Sequence, residues 1–194
     1  PPVASPESFA LCAMMYLHAA RLPARVSGGG DFIALADQDR NLWDDMLIAK
    51  GRAMLDQAAS GFELSEYHIE AAIAYVHSST RSPGQTDWPK IIWLYDTLMK
   101  VRPSPVVALN RAIAIAQQNG PEAGIKEINA IAESSELASY PFFPAALGEL
   151  ELRAGRMEAA REHFTAAAGL ARNPMERRFL KQRAEATTLP ESFG

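Results

Sequence analysis

The densest set of reactive side chains lies in the stretch LADQDRNLWD, Leu35 to Asp44. Counting Asp45, it holds four aspartates and Asn41 within nine residues, with Arg40 among them and Trp43 beside them. Oxygen donors at this density can hold calcium, and Asp37, Asp39 and Asn41 match the first, third and fifth positions of an EF-hand loop. The sixth position needs glycine for the sharp turn and is Leu42; the twelfth needs a bidentate glutamate and is Ile48. The calcium spacing therefore fails twice. A second chemistry, hydrolysis by Asp37 and Asp39, requires two carboxylates held apart across a cleft. A structural reading needs less: Asp39 or Asn41 caps a helix, first-turn acids suit its dipole, and Trp43 packs inward.

Other reactive residues are scattered. His18, His68, His77 and His163 lack the i, i+4 spacing of a zinc-binding helix. Cys12 sits in an apolar run with no nucleophile signature around it, which fits an inert core thiol. Ser27-Gly28-Gly29-Gly30-Asp31 has neither the strand-then-helix context nor the Gly-Lys-Ser/Thr of a phosphate loop, so it reads as a turn. No catalytic, cofactor or metal site is expected. Asp37, Asp39 and Arg40 remain as residues of an interaction surface. Asn110 and Arg111 join them on a helix that could line a groove. Arg177 and Arg178 do so in the basic run Arg172, Arg177, Arg178, Lys181, Arg183, which a solvated helix face also explains.

The elements that would position these residues are all helical. Ser5-Pro6-Glu7 is an N-cap, a first-position proline and a first-turn acid, and predicts a helix to about Arg21. Pro23 and the glycines mark an irregular excursion, with Phe32 to Leu35 as a short extended piece. A second helix is predicted from about Asn41 to Ala59, stopped by Gly61, and a third from about Glu66 to Ser79 behind Ser65. Asp87 caps a fourth, to about Val101. Ser104-Pro105, Gly120-Pro121 and Ser139 or Tyr140 open three more, Gly155 separates an eighth, and Asn173-Pro174-Met175-Glu176 opens a ninth.

Short turns between helices suggest hairpins, and a repeat is present. A shift of 36 residues places Ala112 on Gly148, Asn119 on Gly155, Gly124 on Ala160, Ile128 on Phe164 and Ile131 on Ala167. Small residues let two helices approach, and a large apolar residue fills the groove toward the next hairpin. An earlier unit keeps the second half of the pattern in Ile91, Tyr95 and Leu98, stopped by Pro103. Leu147-Gly148 and Ala160-x3-Phe164-x2-Ala167 resemble the tetratricopeptide repeat. The expected fold is all-α: a tetratricopeptide-like array of about four helical hairpins plus a C-terminal capping helix, residues 1–194 forming a single helical-repeat domain.

ALCAMMYLHAARLPAR (Ala10 to Arg25), LADQDRNLWD with LIAKG (Leu47 to Gly51), TDWPKIIWLYDTL (Thr86 to Leu98), PSPVVALNRAIAIA (Pro103 to Ala116) and NPMERRFLKQR (Asn173 to Arg183) together resemble a known arrangement. In this order they look like the C-terminal extension of bacterial RNA polymerase sigma factors of the extracytoplasmic-function type. Those proteins carry a tetratricopeptide-like domain after two sigma core regions. The resemblance covers about Ala4 to Ala186. No residue here corresponds to the core regions, and the start at PPVASPESF suggests a C-terminal fragment of a longer chain.

The resemblance implies an accessory or regulatory domain in transcription initiation. Its partners would be proteins: sigma core, polymerase or a regulator. Promoter DNA would be reached only through the absent core. A generic peptide-binding repeat scaffold is the alternative, and an enzyme built on Asp37 and Asp39 a third reading. The formal net charge of −4 agrees with a chain that does not hold nucleic acid by itself. A single cysteine suits a reducing compartment, and no apolar run approaches the ~20 residues of a membrane span, so a cytoplasmic location with no membrane partner is expected.

Overall fold

The computed structural model describes residues 5–60 and 63–187. The predicted stop at Gly61 lies outside the described residues. Among those described, the chain is all-α, with nine α-helices, short 3-10 turns and one isolated antiparallel bridge between Val26 and Phe32. Its contacts gather into two compact units, 1–103 and 104–194. No described helix is long and apolar enough to cross a membrane.

The first unit holds α1 (Pro6–Ala19), α2 (Asp45–Ala58), α3 (Glu66–Ser78) and α4 (Trp88–Val101). The Ser5 hydroxyl accepts from the Ser8 amide, and Pro6 follows at the first helical position, as the sequence predicts for α1. Helix α1 packs on α2 and α3, and α3 on α4. Ala10, Ala13, Leu17, Ile69, Ile91 and Leu98 form the buried faces. Gly51 lets α2 approach α1, because a Cβ there would stand 2.7 Å from Leu17 Cγ.

Between α1 and α2 the chain runs irregularly through 3-10 turns at Leu22–Ala24, Leu35–Asp37 and Arg40–Leu42. The second helix starts at Asp45, four residues later than the predicted Asn41. Trp43 is extended (ψ 138), and the cap is Asp44, whose carboxylate accepts from the amides of Met46 and Leu47. Asp39 instead caps the Arg40–Leu42 turn through the Asn41 amide.

The second unit holds α5 (Pro105–Asn119), α6 (Pro121–Asn129), α7 (Phe142–Arg153), α8 (Met157–Leu170) and α9 (Pro174–Ala186), each packed on the next. The repeat positions are its core. Ala112, Ile128, Ala160, Phe164 and Ala167 are buried. A Cβ on Gly124 would stand 2.4 Å from Ala116 Cβ, and one on Gly148 would stand 2.9 Å from the Phe164 ring. Both distances are below van der Waals contact, so the small residues set the helix separation as the repeat pattern requires. The turn after α5 is made by Gly120 (φ 90), one residue beyond the aligned Asn119, whereas Gly155 (φ 80) stands where predicted. Helix α7 begins at Phe142 and not at Ser139 or Tyr140. Pro141 follows Tyr140, and a residue before proline is disfavoured in helical conformation.

Candidate functional site

The LADQDRNLWD segment is the best-connected polar region of the first unit. Arg40 reaches from its 3-10 turn into the protein and is 3% exposed. Its Nη1 donates to the carbonyls of His77 (2.9 Å) and Thr80 (3.1 Å) and to Thr80 Oγ1 (2.9 Å), and Nη2 donates to Thr86 Oγ1 (3.2 Å). These carbonyls belong to the last turn of α3 and the chain just after it. A cation there satisfies acceptors that the helix leaves open and meets the negative end of the helix dipole. The guanidinium carbon also lies 5.1 Å from the centre of the Trp43 ring, with that of Arg21 at 5.5 Å from the same centre.

Neighbouring residues extend this anchor. Gln38 donates to the Ile33 carbonyl (3.1 Å) and accepts weakly from Arg21 Nε (3.4 Å). The Asp44 amide donates to the Ala20 carbonyl just beyond α1. Arg81 Nη1 donates to the Arg40 carbonyl, and its Nη2 pairs with Asp45. Backbone and side-chain bonds thus tie the irregular segment to the residues just after α1, to the start of α2 and to the end of α3.

The anchor is strongly cationic. Burial, then Arg25 and Arg40, lowers the Arg21 pKa to about 10. Burial lowers that of Arg40. His77, whose ring meets Trp88 edge-on, is held neutral with a pKa of about 4 by burial first and then by Arg21, Arg40 and His18. Arg40 Nε, Trp43 Nε1 and His77 Nδ1 are buried without a hydrogen-bond partner among the described residues.

The residues proposed for an interaction surface separate into groups. Arg40 is not a surface residue: its guanidinium is committed to α3 and Trp43. Asp37 and Asp39 are exposed, and Asp39 accepts from both the backbone amide and the side-chain amide of Asn41, which is the geometry of a cap. Among the described residues no group of three His, Cys, Asp or Glu side chains is placed to hold a metal ion. Asn110 is exposed on α5, while Arg111 pairs with Glu127 of α6 at 2.8 Å. Arg177 folds back to the Ala171 carbonyl at the end of α8, through Nε (3.2 Å) and Nη2 (2.6 Å). Arg178 is exposed on α9. Cys12 is exposed as well, against the expectation of a core thiol.

The sequence reading missed Arg21, His77, Thr80 and Thr86 as parts of the anchor. Thr80 and Thr86 bound a polar loop that carries no local sign of a tertiary role. The contacts to Arg40 span 37 to 46 residues, beyond any spacing rule. The unmatched arginine between two aspartates was the available signal.

The family of unknown function DUF6596 matches residues 2–59, a segment that contains α1, the irregular connection and α2. An uncharacterized protein of Rhizobium meliloti (strain 1021) is 37% identical over 182 residues, which is 94% of this chain. The chain spans 43% of that relative's length. No solved structure matches the chain.

Proposed function

We propose that this chain is an accessory interaction domain of a sigma-factor-type transcription initiation protein, acting by surface recognition without chemistry. The observation that carries the reading is how the LADQDRNLWD segment is used. Its polar side chains are used within the chain: Arg40 holds the end of α3 and lies against Trp43, Gln38 holds the Ile33 carbonyl, and Asp39 and Asp44 cap the elements that follow them. That leaves the outer faces of a helical array as the surface for partners. The resemblance of five ordered segments to the extension of extracytoplasmic-function sigma factors supplies the biological setting. A relative more than twice as long as the matched segment is in keeping with a module inside a larger protein.

On this reading the partner is a sigma core, polymerase or a regulator, promoter DNA is contacted elsewhere, and the domain works in the cytoplasm. The test is direct. The purified chain is mixed with sigma core regions from a protein of that type and with core polymerase, and binding is measured by co-elution. Saturable binding to either, with no retention of a promoter fragment by the chain alone, is the expected result. Tight promoter binding by the chain, or failure to bind both proteins, would sink the reading and favour a generic peptide-binding scaffold.

A further inference from the structure

Helices α8 and α9 meet through Phe164, Ala167, Ala171 and Leu180. Beside that contact they leave an open groove of about 640 Å³, lined by Thr165, Ala168 and Gly169 of α8 and by Arg177, Lys181 and Ala184 of α9. A second depression along α9 shares Arg177 and Lys181 and adds Arg178. The floor is made of small residues, and a Cβ built on Gly169 meets nothing within 4 Å. The rim is cationic. Arg177 is fixed by its two bonds to the Ala171 carbonyl, through Nε and Nη2. Lys181 is exposed on the next turn, at i+4 from Arg177. In a chain of net charge −4 this rim is a local reversal of sign.

The shape and charge discriminate between anionic partners. Backbone binding of nucleic acid rests on an extended basic surface. Here the basic strip is short, with Arg177 and Lys181 one turn apart and the acidic Glu185 lining the same groove. A protein segment can space its carboxylates to meet the rim, lay small apolar side chains over Ala168, Gly169 and Ala184, and pass a neutral residue by Glu185. We propose that the α8–α9 groove binds an acidic, extended protein segment in this way. The inference rests on the reading of the chain as an interaction domain and adds the chemistry of one partner segment.

The test uses the whole chain and a fluorescent peptide of alternating Glu and Ala, with a Lys–Ala peptide and an oligo-dT strand as comparisons. Saturable binding of the Glu–Ala peptide is expected, weakening as salt is added. Lys181→Glu should lower its affinity roughly tenfold by placing like charge on the rim. Gly169→Met should lower it by a similar factor by filling the floor, with Tm unchanged or raised because the new side chain starts in open space. Absence of saturable binding, indifference to Gly169→Met, or tighter binding of oligo-dT that responds to the same variants would overturn the proposal. Co-elution with sigma core and polymerase is scored separately. Its success without peptide binding rejects the groove alone, and peptide binding without co-elution rejects the sigma-factor setting alone.

Discussion

In the second unit Phe164 lies against Gly148, closer than any Cβ would permit. In the first, Arg40 crosses from an irregular connection to the carbonyls of His77 in the last turn of α3 and of Thr80 just after it. The contrast follows from connection length. Where turns are short, successive helices meet along their lengths, and matched small and large side chains suffice to set their spacing. Between Ala20 and Asp44 the chain is irregular and its backbone is paired mostly through turn bonds, so no helix face is offered to a neighbour and polar side chains such as Arg40 make the tie to α3. The two solutions also differ in sensitivity: apolar packing responds to volume, whereas a buried cationic anchor responds to charge and pH.

The largest effect should come from the volume side. Phe164 is fully buried, and Phe164→Ala should cost about 4 kcal/mol in urea unfolding. Gly148→Ala made in the same chain should recover part of this loss, since its methyl would enter space vacated by the ring. If the two changes are simply additive, the small-against-large pairing is not what sets the spacing.

On the charge side, His77 provides the next effect. Its folded pKa of about 4 lies below the ordinary 6.5, because burial and the nearby Arg21, Arg40 and His18 disfavour a further positive charge. Above pH 6.5 both folded and unfolded chains hold it neutral, and its contribution is constant. As pH falls from 6.5 toward 4, the unfolded chain takes up a proton that the folded chain refuses, so stability declines by about 3 kcal/mol in total. His18, also lowered by burial and by Arg21 and Arg25, acts in the same direction. His77→Phe should flatten the wild-type slope across this window, measured as unfolding free energy against pH. An unchanged slope would mean that the anchor does not feel this charge.

Arg40→Lys keeps the charge but loses the planar fork that reaches His77, Thr80 and Thr86 together. A cost of about 2 kcal/mol is expected in urea unfolding, from lost charge-assisted hydrogen bonds. Arg177→Lys, on α9 with its exposed side chain turned to the carbonyl just after α8, should cost well under half of that, because water can replace its donors. The pair thus separates a buried helix-end cation from an exposed one making similar bonds.

Gly124→Ala should cost about 1.5 kcal/mol by thermal unfolding. Its Cβ would meet Ala116 Cβ at 2.4 Å, and the overpacking outweighs the ~1 kcal/mol gained in helix propensity. The same substitution at Gly169, where nothing is met, should stabilise by a few tenths of a kcal/mol to about 1. Two helical glycines are thereby assigned opposite signs.

The contrast between the units also explains what the sequence revealed. Ala112, Gly124, Gly148, Ala160 and Phe164 could be read because helical packing repeats its spacing along the chain. Ser5, Asp87 and Asn173 could be read because a cap is a local contact. Arg40 could not. Its acceptors are the His77 carbonyl on α3, the Thr80 carbonyl just after it and the hydroxyls of Thr80 and Thr86, and backbone carbonyls are present at every residue. An arginine that seeks them leaves no complementary residue type to search for, so its sequence context points to the surface. The basic run of α9 was visible as charge, but the groove beside it depends on Ala168 and Gly169 of another helix.

The smallest expected difference bears on the aspartates themselves. Asp44 accepts two amides at the start of a fourteen-residue helix, whereas Asp39 accepts one backbone amide at a three-residue turn, and both are exposed. Asp44→Ala should cost about 1 kcal/mol, the usual loss for an N-cap, and Asp39→Ala only a few tenths. The two aspartates flank Arg40 and Trp43 in sequence and differ mainly in what they cap. Equal losses would therefore show that Asp39 holds Arg40 in place as well as its own turn. The charge-neutral Asp39→Asn would then separate the two roles, because asparagine caps nearly as well. If Asp39→Asn loses as much as Asp39→Ala, it is the aspartate's charge near the buried guanidinium that matters, and the anchor of the first unit extends to its exposed acids.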